Sequence, residues 1–439
     1  MSLVTHHSSL SRLLRKAVDV RPHEVRALLL ACAFNFVILG SYYLIRPIRD
    51  EIGAAGGVEK LPWMYSGTLV VMLLANAAFS GLVAGRSRRR FLPLAYRFFI
   101  LNLLIFYVLM RTLAPGQQLW VGRAFFVWVS VFNLFAVTLF WAFMTDVFDS
   151  EQAKRLFAFI SVGGSLGAIA GPLVTATLVR TLGTPNLLLV TAALLELAPW
   201  CVKFFPTVPP APAPALAPNP NRKEQEKEKP ISGGGILSGI AHVARSPYLL
   251  GICAFMLLHA ICNTVVYFQQ ADIARHQIHD HAARTAFFAQ LDLAVNTLTI
   301  IGQLLLTGRL LKWCGVAFTL ALLPALSVVG FLGMGFLPAL GLLAAFQVLR
   351  RAGNFAVTRP AREVLFTVLR REDKYKAKSF IDTFVYRVGD QIGAWSYPLL
   401  TWLGLGLTGI SFVAAPLAAL WCVLSFSLGK KQAALAQRL

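Results

Sequence analysis

Residues 206–230 read PTVPPAPAPALAPNPNRKEQEKEKP. The first part is a proline and alanine tract suited to an extended polyproline segment, and the second is a mixed-charge run with nothing to bury. Such a stretch is a linker, and what it links decides the fold. Before it stand apolar runs near 26–46, 62–84, 92–113, 119–145, 156–179 and 185–205; after it come runs near 248–270, 285–309, 316–337, 339–358, 379–402 and 406–428. Each is about the 20 residues that a helix needs to cross a hydrocarbon core of about 30 Å. The expectation is an all-α polytopic membrane protein with twelve transmembrane helices in two pseudo-symmetric six-helix bundles. The N-terminal bundle covers 1–205, a cytoplasmic linker 206–230 and the C-terminal bundle 231–439, which opens on an amphipathic segment at 231–246.

Composition agrees. The 439 residues are 57% hydrophobic and 14% charged, with a mean hydropathy of +0.65, which excludes an ordinary soluble domain. An excess of 41 Lys and Arg over 20 Asp and Glu gives a net charge of +21. Cytoplasmic loops of membrane proteins collect such charge, so no nucleic-acid partner is needed to explain it. The basic residues gather in the N-terminal tail, at Arg86, Arg88, Arg89 and Arg90, at Lys154 and Arg155, in the linker, at Arg309 and Lys312, from Arg370 to Lys378, and at Lys430 and Lys431. All of these fall on one side of the membrane, which puts both termini in the cytoplasm and suits a bacterial inner membrane. The first apolar run reads as an uncleaved span, and the six cysteines, none in a CxxC pair, read as small hydrophobes. Matching residues such as Tyr43 with Tyr267, and Ala153 and Lys154 with Ala377 and Lys378, suggest an internal duplication at an offset of 224.

Ionisable groups at mid-depth are costly and are usually paired or face a water-filled path. Arg350 and Arg351 lie mid-way along the tenth span, and Arg387 and Asp390 mid-way along the eleventh, with Asp382 one turn or so below Arg387. This cationic interior suits an anion or zwitterion. Arg46, Arg49 and Asp50 end the first span, and the two arginines, three apart, project from similar faces in a way that suits capture of carboxylate or phosphate, with interfacial snorkelling or a structural salt bridge as the equal alternative. Asn263, Tyr267 and Gln270 line up along the seventh span as hydrogen-bonding groups for a bound solute. Asp292 and Glu196 are candidate proton or ion-pair sites, while Asp146, Glu151, Lys154, Arg155 and the basic run 370–378 could close the inner side through salt bridges. His276, His279 and His281 read as a solvated loop, with no metal-site spacing. No Walker motif is present, and nothing calls for a cofactor, so the chain reads as a transporter and not an enzyme.

Two Gly-plus-basic turns, GLVAGRSRRR at 81–90 and GRLLKWCG at 308–315, resemble the turn between the second and third spans of each half in the major facilitator superfamily. Gly163, Gly164, Gly167, Gly171 and Pro172 read first as small residues for close helix packing, and they also resemble an antiporter motif of that superfamily, with Thr175 and Ala176 where further glycines would stand. Three longer stretches resemble the ATP/ADP antiporter family, nucleotide transporters similar to that superfamily. They are Leu44-Ile-Arg46-Pro-Ile-Arg49-Asp50; Phe140-Trp141-Ala-Phe143 with Glu151-Gln-Ala153-Lys154-Arg155; and Arg362-Glu363 through Lys376-Ala-Lys378 to Ile381-Asp382 and Gly389. The resemblance implies a secondary transporter working by alternating access, with Arg46, Arg49 and Asp50 binding or gating. The seventh span departs from the family pattern, carrying Asn263, Val266 and Gln270 where an acidic residue and a lysine follow the Asn, and Asp390 stands where the family has a lysine. The expected solute is therefore an anion or zwitterion, possibly less charged than a nucleotide triphosphate, carried by a monomer. An exporter of lipid or drug-like molecules with the same fold, or a non-transporting scaffold or sensor, are the alternatives.

Overall fold

The computed structural model describes residues 20–83, 88–206, 246–369, 377–378 and 380–437. The linker, the 231–245 segment and the basic residues 370–376 lie outside the described residues. Among the described residues six helices precede the linker and seven follow it; the six are α1 (Val25–Ala55), α2 (Leu61–Val83), α3 (Arg88–Thr112), α4 (Pro115–Val147), α5 (Ser150–Leu182) and α6 (Thr184–Lys203). The seven are α7 (Pro247–Gln277), α8 (His281–Leu305), α9 (Thr307–Phe336), α10 (Leu340–Gly353), α11 (Arg359–Leu365), α12 (Tyr386–Trp402) and α13 (Leu407–Ala436). A π-turn at Asn354–Thr358 joins α10 to α11, and a second at Ile381–Val385 leads into α12. No strand occurs among the described residues.

Nine helices among the described residues are long and apolar enough to span a membrane. The expected count of twelve exceeds this for physical reasons: α2 counts only as a shorter apolar helix over Leu61–Asn76, while the α10–α11 and α12 passages carry Arg350, Arg351, Arg359 and Arg362, and Asp382, Arg387 and Asp390. The π-turns split these passages into helices of 14, 7 and 17 residues, and they carry the second half's share of the candidate site. Large apolar side chains such as Leu74, Leu304, Phe336 and Trp402 are exposed, as lipid-facing residues are.

The chain divides into two compact units, Met1–Pro212 with Ile278–Asn296, and Ala213–Gln277 with Thr297–Leu439. The first part of α8 thus groups with the N-terminal helices. In the first unit α1 packs on α4, α5 and α6, and α3 on α6; in the second, α7 packs on α10, α12 and α13, and α9 on α13. Helices α1 and α7 begin at 25 and 247 and end at 55 and 277, a shift of 222 residues. The same shift carries Gly167 and Gly171 of α5 onto Gly389 and Gly393 of α12. The duplication is therefore two residues out of step with the sequence-based offset, and Tyr43 corresponds to Val265 rather than Tyr267.

These glycines explain the seams. A Cβ on Gly163, Gly167 or Gly171 would stand 2.1 to 2.5 Å from the Cys32, Phe36 or Gly40 carbonyl of α1, so only glycine lets the two backbones meet. Thr175, where the antiporter-like motif leads one to expect glycine, donates through Oγ1 to the Leu44 carbonyl at 2.7 Å. Two prolines leave carbonyls without their helical N–H, and side chains of α8 and α9 answer them. Pro172 strands the Ala168 carbonyl, which accepts from Asn296 Nδ2 at 2.6 Å. Pro360 strands the Ala356 carbonyl, which accepts from Thr307 Oγ1 at 2.5 Å. The preceding π-turn follows from the same missing donor, with the Arg359 N–H reaching back to the Asn354 carbonyl.

Candidate functional site

Charged residues gather in two places, one in each unit. In the first, Pro47 lies within α1 and the helix continues through it, so Arg46, Asp50 and Glu51 project from adjacent turns. Arg49 donates from Nε and Nη2 to Asp50 Oδ1 at 3.0 and 2.8 Å and from Nη1 to Ser130 Oγ at 3.3 Å, its guanidinium 5.0 Å from the Phe126 ring centre. Arg46 reaches Asp50 at 3.7 Å and Asp292 of α8 at 3.4 Å. Next to these, Arg284 donates to Glu51 Oε1 from Nη2 at 2.9 Å, and His281 Nδ1 lies 2.7 Å from the same oxygen. Arg284 also caps the Ile278 carbonyl at 2.9 Å. Three arginines thus meet three carboxylates, and Asp292, 1% exposed, is buried among them.

Glu51 and Arg284 are absent from the sequence-based set. Each stands at the end of an apolar run, where a charge reads as an interfacial residue. His281, expected in a solvated loop, joins this cluster, whereas His276 turns back onto the Asp272 carbonyl at 2.8 Å.

The second place is different. Arg350 of α10, 2% exposed, donates from Nη2 to Asn263 Oδ1 at 2.9 Å and to Gln347 Oε1 at 2.8 Å; Gln347 Nε2 donates in turn to Gln270 Oε1 at 2.5 Å. Asn263 and Gln270 are seven apart on α7 and share a face, and Gln347 and Arg350 are three apart on α10, so two helices build one ladder. Its members are neutral apart from the guanidinium, and no carboxylate among the described residues reaches Arg350. Tyr267, between the two α7 members in sequence, packs its ring beside Phe268. Asp390 lies on the α7–α12 seam, 3.6 Å from Arg387, and accepts from Thr264 Oγ1 at 3.4 Å. The structure thus joins Arg350 to Asn263 and Gln270, and Arg387 to Asp390, and keeps Arg46, Arg49, Asp50 and Asp292 in a separate cluster. His259, one turn before Asn263 on α7, is a buried residue that sequence reading passed over.

The helix ends carry the remaining candidates. Glu24, just ahead of α1, accepts from Arg155 Nη2 at 3.0 Å and from Gln152 Nε2 at 3.0 Å. Burial pushes its carboxyl up, but the bonds from Arg155, the Arg21 N–H and Gln152 outweigh this and hold it below the usual range. Asp149 and Gln152 form a capping box at the start of α5, which aims Gln152 and Arg155 at Glu24. Glu151 pairs with Arg21 at 2.9 Å and with Arg155 at 3.5 Å. Asp146 is exposed at the end of α4, and the side chain of Lys154 lies outside the described residues. In the second unit Arg362 bridges Asp382 at 3.3 Å and Glu363 at 3.5 Å, and Lys378 also pairs with Glu363. Glu196 pairs with Arg97 at 3.0 Å on an exposed face.

ADP,ATP carrier protein 1 of Chlamydia muridarum (strain MoPn / Nigg) is 21% identical, the match covering 85% of this chain and 82% of that protein. Among solved structures, a D-xylose-proton symporter is similar with a TM-score of 0.65 at 11% identity, over 92% of this chain and 98% of that one. A bacterial homologue of the iron transporter ferroportin in an inward-facing state has a TM-score of 0.64 at 10% identity, over 93% of this chain and 100% of that one. The model of the Major Facilitator Superfamily matches residues 27–361. The all-α membrane fold, the paired helical seams and this match over most of the chain agree: the protein belongs to the Major Facilitator Superfamily and is a membrane transporter, not an enzyme.

Proposed function

We propose that the protein is a secondary transporter for an anionic solute of the nucleotide or organic-phosphate class, exposing its site alternately to the two sides of the membrane. One observation carries the anion: Arg350, always protonated, is buried on neutral partners alone among the described residues. A buried cation without a carboxylate is a costly arrangement that an incoming anion relieves. The 21% identical ADP,ATP carrier supports the nucleotide class, while the neutral Asn263 and Gln270 favour solutes of lower charge than ATP. Arg387 with Asp390 would tune the same interior. In this reading Arg46, Arg49 and Asp50, neutralised with Asp292, gate the path instead of binding the solute, and the Glu24–Arg155 and Glu363–Lys378 pairs steady the inner ends of the helices. The protein works as a monomer in a bacterial inner membrane, with both termini and the 206–230 linker in the cytoplasm and the two bundles as its halves.

The test is exchange in proteoliposomes loaded with unlabelled ADP or AMP, reading uptake of the labelled nucleotide. Uptake that depends on internal nucleotide, and that Arg350→Ala lowers at least tenfold, is the expected result. Uptake equal to that of empty liposomes for nucleotides, sugar phosphates and dicarboxylates alike would overturn the reading.

A further inference from the structure

Arg350 uses only part of its guanidinium in the ladder. Among the described residues its Nε is buried with no hydrogen-bond partner, and the same holds for Nδ1 of His259 and Nε1 of Trp421. All three residues are more than nine-tenths buried, His259 at 5% and Trp421 at 1% exposed. His259 lies between the other two. The His259 ring centre lies 5.3 Å from that of Trp421 and 6.2 Å from that of Tyr386. Asn263, which holds the Arg350 guanidinium at 2.9 Å, is four residues along α7 from His259 and so on the same face one turn away. Helices α7, α10 and α13 thus carry three unanswered nitrogens, with His259 beside Trp421 and one turn from the residue that holds Arg350.

Buried donors in folded proteins almost always find an acceptor. Indole and guanidinium nitrogens only donate, and a neutral imidazole donates from Nδ1 in one of its two tautomers. A cation is repelled by Arg350, and a neutral acceptor would leave its charge unbalanced. We propose that Arg350 Nε, Trp421 Nε1 and His259 Nδ1 form an oxyanion subsite that receives one phosphoryl or carboxylate group of the transported solute. This rests on the anion reading above and adds two residues to it. Trp421 and His259 donate to the anionic oxygens, the anion selects the tautomer with the proton on Nδ1, and Tyr386 walls the imidazole on its other side. Charge comes from Arg350 and direction from the two rings, which is how a site selects a planar or tetrahedral oxyanion over chloride.

The experiment titrates inorganic phosphate and AMP into the full-length protein in nanodiscs, following tryptophan emission and binding heat. The emission change should vanish in Trp421→Phe, and affinity should fall roughly tenfold there and in His259→Leu, the loss expected for one hydrogen bond to a charged group. His259→Asn, which restores a donor near the Nδ1 position, should recover affinity, a result that mere packing loss would not give. If Arg350→Ala abolishes binding while Trp421→Phe and His259→Leu bind as wild type, the subsite is wrong and the anion reading stands. Wild-type protein that binds neither phosphate nor AMP overturns both. Binding that follows the expected pattern without flux in proteoliposomes upholds the subsite and overturns the transport reading.

Discussion

The two charged regions use the same residue type to opposite ends. Around the end of α1, arginines 46, 49 and 284 face Asp50, Glu51 and Asp292 at 2.8 to 3.7 Å, so the cluster is neutral and its work is to hold α8 against α1. Around Arg350 the partners are amides at 2.8 and 2.9 Å, which orient the guanidinium and leave its charge uncancelled. A buried arginine marks a binding site when its neighbours orient its guanidinium without cancelling its charge.

That contrast predicts which variants harm the fold and which harm binding. The largest stability effect belongs to Arg284→Ala, which leaves Glu51 buried without its main partner; a loss of about 3 to 5 kcal/mol is expected, read as a lowered melting temperature in detergent. The pair Glu51→Gln with Arg284→Met should recover most of it. Equal losses in the single and double variants would show that the pair itself is not what holds α8. Next comes Gly167→Ala, whose methyl would stand 2.3 Å from the Phe36 carbonyl and 2.8 Å from the Gly40 nitrogen; about 2 kcal/mol is expected. Its counterpart Gly389→Ala meets the Ala260 methyl at 2.6 Å and the Leu257 carbonyl at 3.0 Å and should cost less. The reverse order would break the account of the two seams.

The smallest effect is one of pH. Because Glu24 is held below its unfolded carboxyl range, the stability it contributes is complete above the unfolded value and is lost as pH falls through the folded one. Below about pH 4.5 the wild type and Glu24→Gln should therefore converge in melting temperature, with the wild type more stable at pH 7. A gap that persists or widens on acidification would show that the Arg155 contact is not charge-dependent.

Much of this was legible in the sequence, and what was not has a common cause. Apolar length and the 206–230 linker announce the spans, and the i, i+3, i+4 spacing of Gly163, Gly164, Gly167 and Gly171 announces a close helix contact, because both are local properties of one helix. Asn263, Gln270 and Arg350 are legible for the same reason, whereas Gln347 stands out only once α10 lies against α7. The partner of a charge is not local: Asp292 meets Arg46, and Arg284 meets Glu51, only once α8 folds back onto α1, so two arginines that read as an anion clamp are neutralised. The register of the duplication is likewise set by helix ends and clash glycines, not by a chance pair of tyrosines. His259 escaped notice because a single imidazole in an apolar run looks like core until its neighbours Trp421 and Arg350 are known.

The most direct test of the central claim is the melting temperature of wild type and Arg350→Gln in the presence of AMP, ADP and inorganic phosphate. A ligand of the folded state at 100 times its dissociation constant stabilises by about 2.7 kcal/mol. The account predicts that the wild type melts higher with anion, that Arg350→Gln is no less stable than wild type without it, and that the variant loses the anion response. An anion response that survives in Arg350→Gln, or a variant strongly destabilised in the absence of ligand, would contradict it, because Arg350 would then be a structural residue like Arg284.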